Sequence, residues 1–135
     1  YVSRVLLPGM VERGSGHIVN IGSLAGKEVY PNGNVYCASK HAVDAITQGM
    51  RIDLNGTGVR VTAINPGLAE TEFSRVRFKG DEAEAAKVYE GYRPLQPEDV
   101  AEVIAFAVTR PAHVNIADLL LLPTDQATST IVDKG

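Results

Sequence analysis

The sequence predicts an α/β protein: part of a doubly wound parallel sheet, with three strands and their flanking helices in this chain. Short β-branched runs alternate with helical patterns in the order helix–strand–helix–strand–helix–strand. That alternation implies crossover units, hence parallel strands with helices on both faces. Glycine- and proline-bearing stretches punctuate the runs, at "ERGSG" (12–16), "NGTG" (55–58) and Pro66-Gly67. No repeat, low-complexity tract or linker interrupts the 135 residues, enough for one domain.

Residues 2–11, "VSRVLLPGMV", read as the tail of a helix that Pro8 and Gly9 bend. "HIVNIGS" (17–23) is a short β-branched run, expected as a buried strand. "LAGKEVYPNG" (24–33), with Gly26, Pro31 and Gly33, is expected as a loop. From Asn34 a stripe of Val35, Ala38, Ala42, Ala45, Ile46, Gly49, Ile52 and Leu54 marks a helix. "VRVTAINP" (59–66) alternates and is the second strand. The segment 70–81 has no assigned structure, and 81–92 has the composition of a short helix. "QPEDVAEVIAFAVTR" (96–110) opens on Pro97 and two acids, the signature of a helix start. "ADLLLLPTD" (117–125) is the third strand, and an irregular tail follows. Three parallel strands are few for such a sheet. The first strand is expected to have an unpaired edge. The chain also opens on Tyr1 in mid-pattern. Both features lead us to expect that an N-terminal half, the dinucleotide-binding half of the fold, lies outside this sequence.

Hydrophobic residues make up 44% and charged residues 21%, a balance that can bury a core. A net charge of −3 gives no case for a nucleic acid or an anionic membrane. No apolar run approaches the ~20 residues of a membrane span. The opening stretch does not read as a signal peptide. One cysteine, Cys37, precludes an internal disulfide and suits the reducing cytoplasm.

The residues that carry chemistry gather where such sheets bind ligands, outside the carboxyl ends of the strands. Ser23 closes the first strand, Pro66, Gly67 and Thr71 follow the second, and Tyr36 and Lys40 open the helix between them. Tyr36 and Lys40 are four apart, one turn on one helix face. Alone, that pair is more often a surface accident. Joined to Ser23 and the 66–71 loop, it reads as a proton-transfer device. A free phenol is a poor base near neutrality, and an adjacent ammonium favours the phenolate. A serine hydroxyl can hold a carbonyl or alcohol oxygen at the same point. Such a cluster suits alcohol oxidation or carbonyl reduction, with the hydride coming from a cofactor.

Ser23, Tyr36-x-x-x-Lys40 thirteen residues later, and "NPG" (65–67) with Thr71 resemble the short-chain dehydrogenases/reductases. More narrowly, "LPGMVERGSGHIVNIGS", "GNVYCASK", "PGLAETEFSRVRFKGD" and "PEDVAE" resemble the branch of NADP-dependent 3-hydroxy acid dehydrogenases that also oxidise serine. The resemblance implies the C-terminal half of a Rossmann-type sheet and an oxidoreductase acting on a small hydroxy acid or a related alcohol or carbonyl. The alternative is a non-catalytic remnant or interaction fragment of such an enzyme. It further implies that Tyr36 is the acid/base. Lys40 favours the Tyr36 phenolate and binds the nicotinamide ribose. Ser23 bonds the reacting oxygen. Pro66, Gly67 and Leu68, with Thr71, hold the nicotinamide carboxamide. NADP is implied by the branch, with NAD as the alternative, and a homodimer or homotetramer is expected. The family's glycine-rich phosphate turn and its catalytic asparagine are not in this sequence. "GSGH" (14–17) is no substitute, because it precedes a strand instead of opening a helix.

Other residues have two readings. Arg75, Arg77 and Lys79 form either a solvated face or a site for a substrate carboxylate. Thr71 can also cap the helix after it. Asn20 is expected to bridge to neighbouring backbone, and Asn65 to tie down the end of its strand. His17, His41 and His113 lack metal-ligand spacing. Cys37 is expected as a small buried filler.

Overall fold

The alternating run Val59–Pro66 becomes the middle strand of the sheet, and its position explains the rest. In the computed structural model, residues 1–77 and 80–135 are described. The side chains of Arg75, Arg77 and residues 84–86 lie outside that description, as do Phe78 and Lys79 altogether. The elements run α1 (Val2–Glu12), β1 (Gly16–Ile21), a 3-10 turn (Leu24–Gly26), α2 (Asn34–Asp53), β2 (Val59–Pro66), α3 (Glu72–Arg77), α4 (Glu82–Lys87), α5 (Pro97–Val108) and β3 (Asp118–Leu121). The strands are parallel in the order β1-β2-β3. Among the described residues β1 pairs only with β2, so its other side is an edge.

Strand alternation sends β2 side chains to both faces. On one face Arg60 donates to the carbonyls of Val108, Arg110 and Val114, at and beyond the end of α5. On the other, Ala63 lies beside Asn20 of β1, whose amide donates to Thr47 of α2 at 2.9 Å. Thus α2 and α5 cover opposite faces, as crossover connections require. Val61, Ala63 and Ile64 are essentially inaccessible to solvent. Each buried Val or Ile side chain contributes roughly 1.5–3 kcal/mol by leaving water.

Most expected elements are present, with several differences. The first strand, expected to be buried, is only half-buried, and Ile21 at its end is exposed. The stretch 24–33 is not wholly loop, because Ser23 caps a 3-10 turn there through its own side chain. The segment 81–92 holds a shorter helix than its composition suggested, and β3 ends at Leu121. Pro8 is accommodated inside α1. Among the described residues Asn20 bridges to side chains of α2, Thr47 and Met50, and not to backbone. Cys37 of α2 is buried, as expected of a small filler. No described helix is long and apolar enough to cross a membrane.

Candidate active site

Three elements end at one cavity of about 410 Å³, within the usual range for a small-molecule pocket. It lies beyond the carboxyl ends of β1 and β2. Ser23, Tyr36, Lys40, Pro66, Gly67, Leu68 and Thr71 all line it. The sequence-predicted cluster is therefore brought together, although its members span 49 positions from Ser23 to Thr71.

Ser23 leaves β1 in an extended conformation and caps the 3-10 turn. The Ala25 N–H donates to its hydroxyl oxygen at 3.1 Å. That bond occupies one lone pair and leaves the hydroxyl proton to donate into the cavity. Gly26 lets the turn pack closely on α2. A Cβ built there would fall 2.8 Å from the Lys40 carbonyl oxygen, a separation real contacts do not tolerate. The glycine thus sets the spacing between Ser23 and the Tyr36–Lys40 turn.

Helical spacing places Lys40 one turn below Tyr36. The ammonium lies 5.9 Å from the phenol ring centroid and donates to the Ile21 carbonyl at 3.1 Å. Burial holds the Lys40 pKa below the ordinary lysine value, since desolvation penalises the charged form. The carbonyl bond uses one of three ammonium donors, so others remain for a ligand in the cavity. The Tyr36 ring packs at 5.3 Å and a 46° tilt against Phe73 of α3, which forms a wall over the phenol.

The loop after β2 is held from several sides. The Gly67 N–H donates to the Leu121 carbonyl at 2.7 Å, and the Leu68 N–H to Gln126 Oε1 at 2.8 Å. Leu95 bonds on either side of Ala69, through the Leu68 carbonyl and the Glu70 N–H. Tyr89 donates to the Ala69 carbonyl at 2.9 Å and pairs with Ser74 at 2.6 Å. The Gly67 and Leu68 amides are thus engaged inside the chain. Among the described residues nothing accepts from the Ala69 N–H, which lies on the same cavity-lining loop. Thr71 accepts from the Phe73 N–H at 3.2 Å and so caps α3. The hydroxyls, ammonium and Ala69 amide together form a donor set that fits a nicotinamide and its ribose. Gly14 and Ser15 run into β1 and open no helix, so they offer no helix N-terminus for a pyrophosphate.

Sequence reasoning missed Phe73, Ser74, Tyr89 and Gln126. No local signal marks them, since each acts across the fold: Gln126 is 58 residues from the amide it accepts. The Arg75, Arg77 and Lys79 side chains lie outside the described residues, although α3 borders the cavity through Phe73 and Ser74. Two of the three histidines have structural partners: His17 bonds Thr62 at 2.7 Å and His41 the Cys37 carbonyl at 2.8 Å. Among the described residues no three metal-ligating side chains gather.

Residues 1–82 match the family described as short chain dehydrogenase. The chain belongs to that family. It is 53% identical over 128 residues to the NADP-dependent 3-hydroxy acid dehydrogenase of Escherichia coli, covering 94% of this chain and 52% of that one. It is 51% identical over 135 residues to sulfoacetaldehyde reductase 2 of Chromohalobacter salexigens, covering 98% and 54%. It superimposes with a TM-score of 0.94 on the closed form of a serine dehydrogenase complexed with NADP+, at 52% identity, covering 97% of this chain and 53% of that one. The chain thus spans about half the length of the curated relatives it matches. The parallel α/β architecture is that of the short-chain dehydrogenase neighbours.

Proposed function

We propose that this chain is the catalytic half of an NADP-dependent oxidoreductase that interconverts a small, anionic hydroxy acid with its carbonyl form. The observation that carries the reading is the convergence of Ser23, Tyr36, Lys40 and the Pro66–Thr71 loop on one cavity. The relatives' names support the substrate class: one acts on 3-hydroxy acids, one on sulfoacetaldehyde, and a structural neighbour on serine. When bound, the nicotinamide accepts or donates the hydride. In the oxidising direction Tyr36, as phenolate, takes the substrate hydroxyl proton. Lys40 sets its ammonium one helical turn from that phenol and offers its remaining donors to the ribose. Ser23 donates a hydrogen bond from its hydroxyl to the reacting oxygen and keeps its proton. Pro66 packs the cofactor loop, Gly67 and Leu68 shape it through their internal bonds, and the Ala69 N–H holds the carboxamide with Thr71 beside it. In this proposal the dinucleotide-binding half of the fold supplies the remaining cofactor contacts. Arg75 and Arg77 are the proposed partners of the substrate carboxylate.

We assign the protein to the cytoplasm, on its single free and buried cysteine. We also assign it to a homo-oligomer. Val2, Val5 and Leu6 of α1 and Val35, Ile46 and Ile52 of α2 are exposed apolar residues suited to subunit contacts.

The test is turnover of full-length protein with NADP+ and a small hydroxy acid. Tyr36→Phe should abolish it while thermal stabilisation by NADPH persists. Turnover surviving in Tyr36→Phe would remove the acid/base assignment. Arg75→Ala and Arg77→Ala should raise KM for a hydroxy acid more than for an uncharged alcohol, and equal effects would remove the carboxylate assignment.

A further inference from the structure

Resting on the oxidoreductase reading, we infer that Asn65, clamped by Asp118, is a positioning residue that fixes Ser23 for the reaction. Asn65 is the last residue but one of β2 and is only 1% exposed. Its Oδ1 accepts the Ser23 N–H at 3.3 Å, and its Nδ2 donates to Asp118 Oδ1 at the start of β3. A peptide N–H can only donate and a carboxylate can only accept. The two neighbours therefore allow one orientation of the amide.

The space for this contact is made by Gly22. A Cβ there would fall 1.9 Å from Asn65 Oδ1, so any side chain would expel the amide from the 22–23 peptide. Asp118 is itself held. Lys27 bonds Asp118 Oδ2, and also Asp44 Oδ1 of α2 at 2.7 Å. Burial lowers the Lys27 pKa, but the two carboxylates outweigh it and the net shift is upward. Lys27 directly follows the 3-10 turn that Ser23 caps, and its own N–H bonds the Leu24 carbonyl. The bonds thus close a ring: Ser23, Asn65, Asp118, Lys27 and back through the turn. Ser23 is gripped at its N–H by Asn65 and at its Oγ by Ala25. That fixes the oxygen and leaves its proton to donate away from the Ala25 N–H. A merely structural Asn65 would anchor the strand end without caring where Ser23 points.

Two readouts separate these roles in the full-length protein. The first needs no activity. Amide hydrogen exchange at Ser23 should quicken in Asn65→Leu and in Asp118→Ala. Gly22, whose N–H bonds the Ile64 carbonyl, should stay protected. Asp118→Asn, which keeps an oxygen for Asn65, should retain most of the Ser23 protection. Asp118 has a side chain 41% exposed, so Asp118→Ala serves if Asn65→Leu does not fold. The second readout is a double-mutant cycle. Asn65→Leu and Asp118→Ala should each lower kcat by roughly tenfold or more with NADPH affinity unchanged. In a Ser23→Ala background the same changes should cost almost nothing further, because both act through that hydroxyl. Unchanged Ser23 exchange, or equal kcat losses in the two backgrounds, would overturn the inference. Absence of dehydrogenase turnover in the unaltered protein would instead overturn the oxidoreductase reading, and the exchange measurement would still decide the Asn65–Ser23 link.

Discussion

Gln126 Oε1 accepts the Leu68 N–H at 2.8 Å, while its Nε2 donates to the Thr128 carbonyl at 3.1 Å. The side chain is 5% exposed. A buried amide with both ends engaged ties the loop after β2 to the segment beyond β3, much as Asn65 ties the end of β2. Gln126→Ala leaves the Leu68 N–H without its acceptor, and an orphaned, part-buried donor costs about 1–3 kcal/mol. Gln126→Glu keeps the acceptor but sets a carboxylate against the Thr128 carbonyl. Both variants should lower the urea midpoint at unchanged slope and weaken NADPH binding. An unchanged midpoint in Gln126→Ala would show that the loop holds without this bond.

A second prediction concerns pH. His17 bonds Thr62 at 2.7 Å through Nε2, while its buried Nδ1 has no partner among the described residues. Burial first, and the positive charge of Arg60 second, lower its pKa from 6.5. A depressed histidine resists protonation in the folded state, so the unfolded chain binds the proton first as pH falls. The associated stability is complete above 6.5 and is lost as pH drops from there through the folded value. His17→Gln should flatten this part of the stability–pH curve relative to the unaltered protein. Parallel curves for the two proteins would contradict the prediction.

The cap on α3 gives a third. Thr71 Oγ1 accepts the Phe73 N–H at 3.2 Å. Thr71→Val keeps the shape and loses the acceptor, and such caps contribute about 1 kcal/mol. Because Phe73 packs on Tyr36, fraying this end would also loosen the wall over the phenol. We expect a small fall in stability together with a larger rise in KM, measured by denaturation and steady-state kinetics. Thr71→Ser should restore both.

Much of this was legible before the fold was known. Alternation in 59–66 marks β2 residue for residue, because the strand is central and its neighbours leave no competing conformation. The Tyr36–Lys40 spacing, with Ser23 before it and Pro66-Gly67 after it, pointed to the end of the sheet where these residues line one cavity, because chain order and strand polarity alone place those groups at one end of a parallel sheet. What was hidden is long-range. The 3-10 turn at 24–26 depends on the Ser23 side chain capping its own chain and on a glycine lying against Lys40. Asn65 shows as a strand-end amide in the sequence, but its partners are 42 and 53 residues away. Tyr89 and Ser74 meet only because α3 and α4 fold back over the loop after β2. Hydrophobic period carries no information about such pairs.

A close approach between the turn that carries Ser23 and the helix that carries Tyr36 yields the last prediction. Gly26 sits in the turn that presents Ser23, and Lys40 in the helix that presents Tyr36. A methyl group on Gly26 would lie 2.8 Å from the Lys40 carbonyl oxygen and 3.1 Å from its carbon. Both are main-chain atoms of α2, so the contact cannot be relieved by a rotamer change. The turn and the helix must separate. Overpacking of this kind costs about 1–3 kcal/mol. Its functional cost should be larger, because in the proposed reaction Ser23 and Tyr36 reach one oxygen atom together, and misplacement by about 1 Å can lower a rate on the order of a hundredfold. Gly26→Ala should therefore reduce kcat far more than it reduces stability. The Lys40 ammonium, anchored to the Ile21 carbonyl on the β1 side, would be drawn away from its helix, adding to the loss. Gly49 of the same helix α2 offers the comparison, since a Cβ there meets nothing within 4 Å, and Gly49→Ala should leave kcat intact. If Gly26→Ala kept full kcat, the spacing between the turn and α2 would not be what sets the geometry of the site.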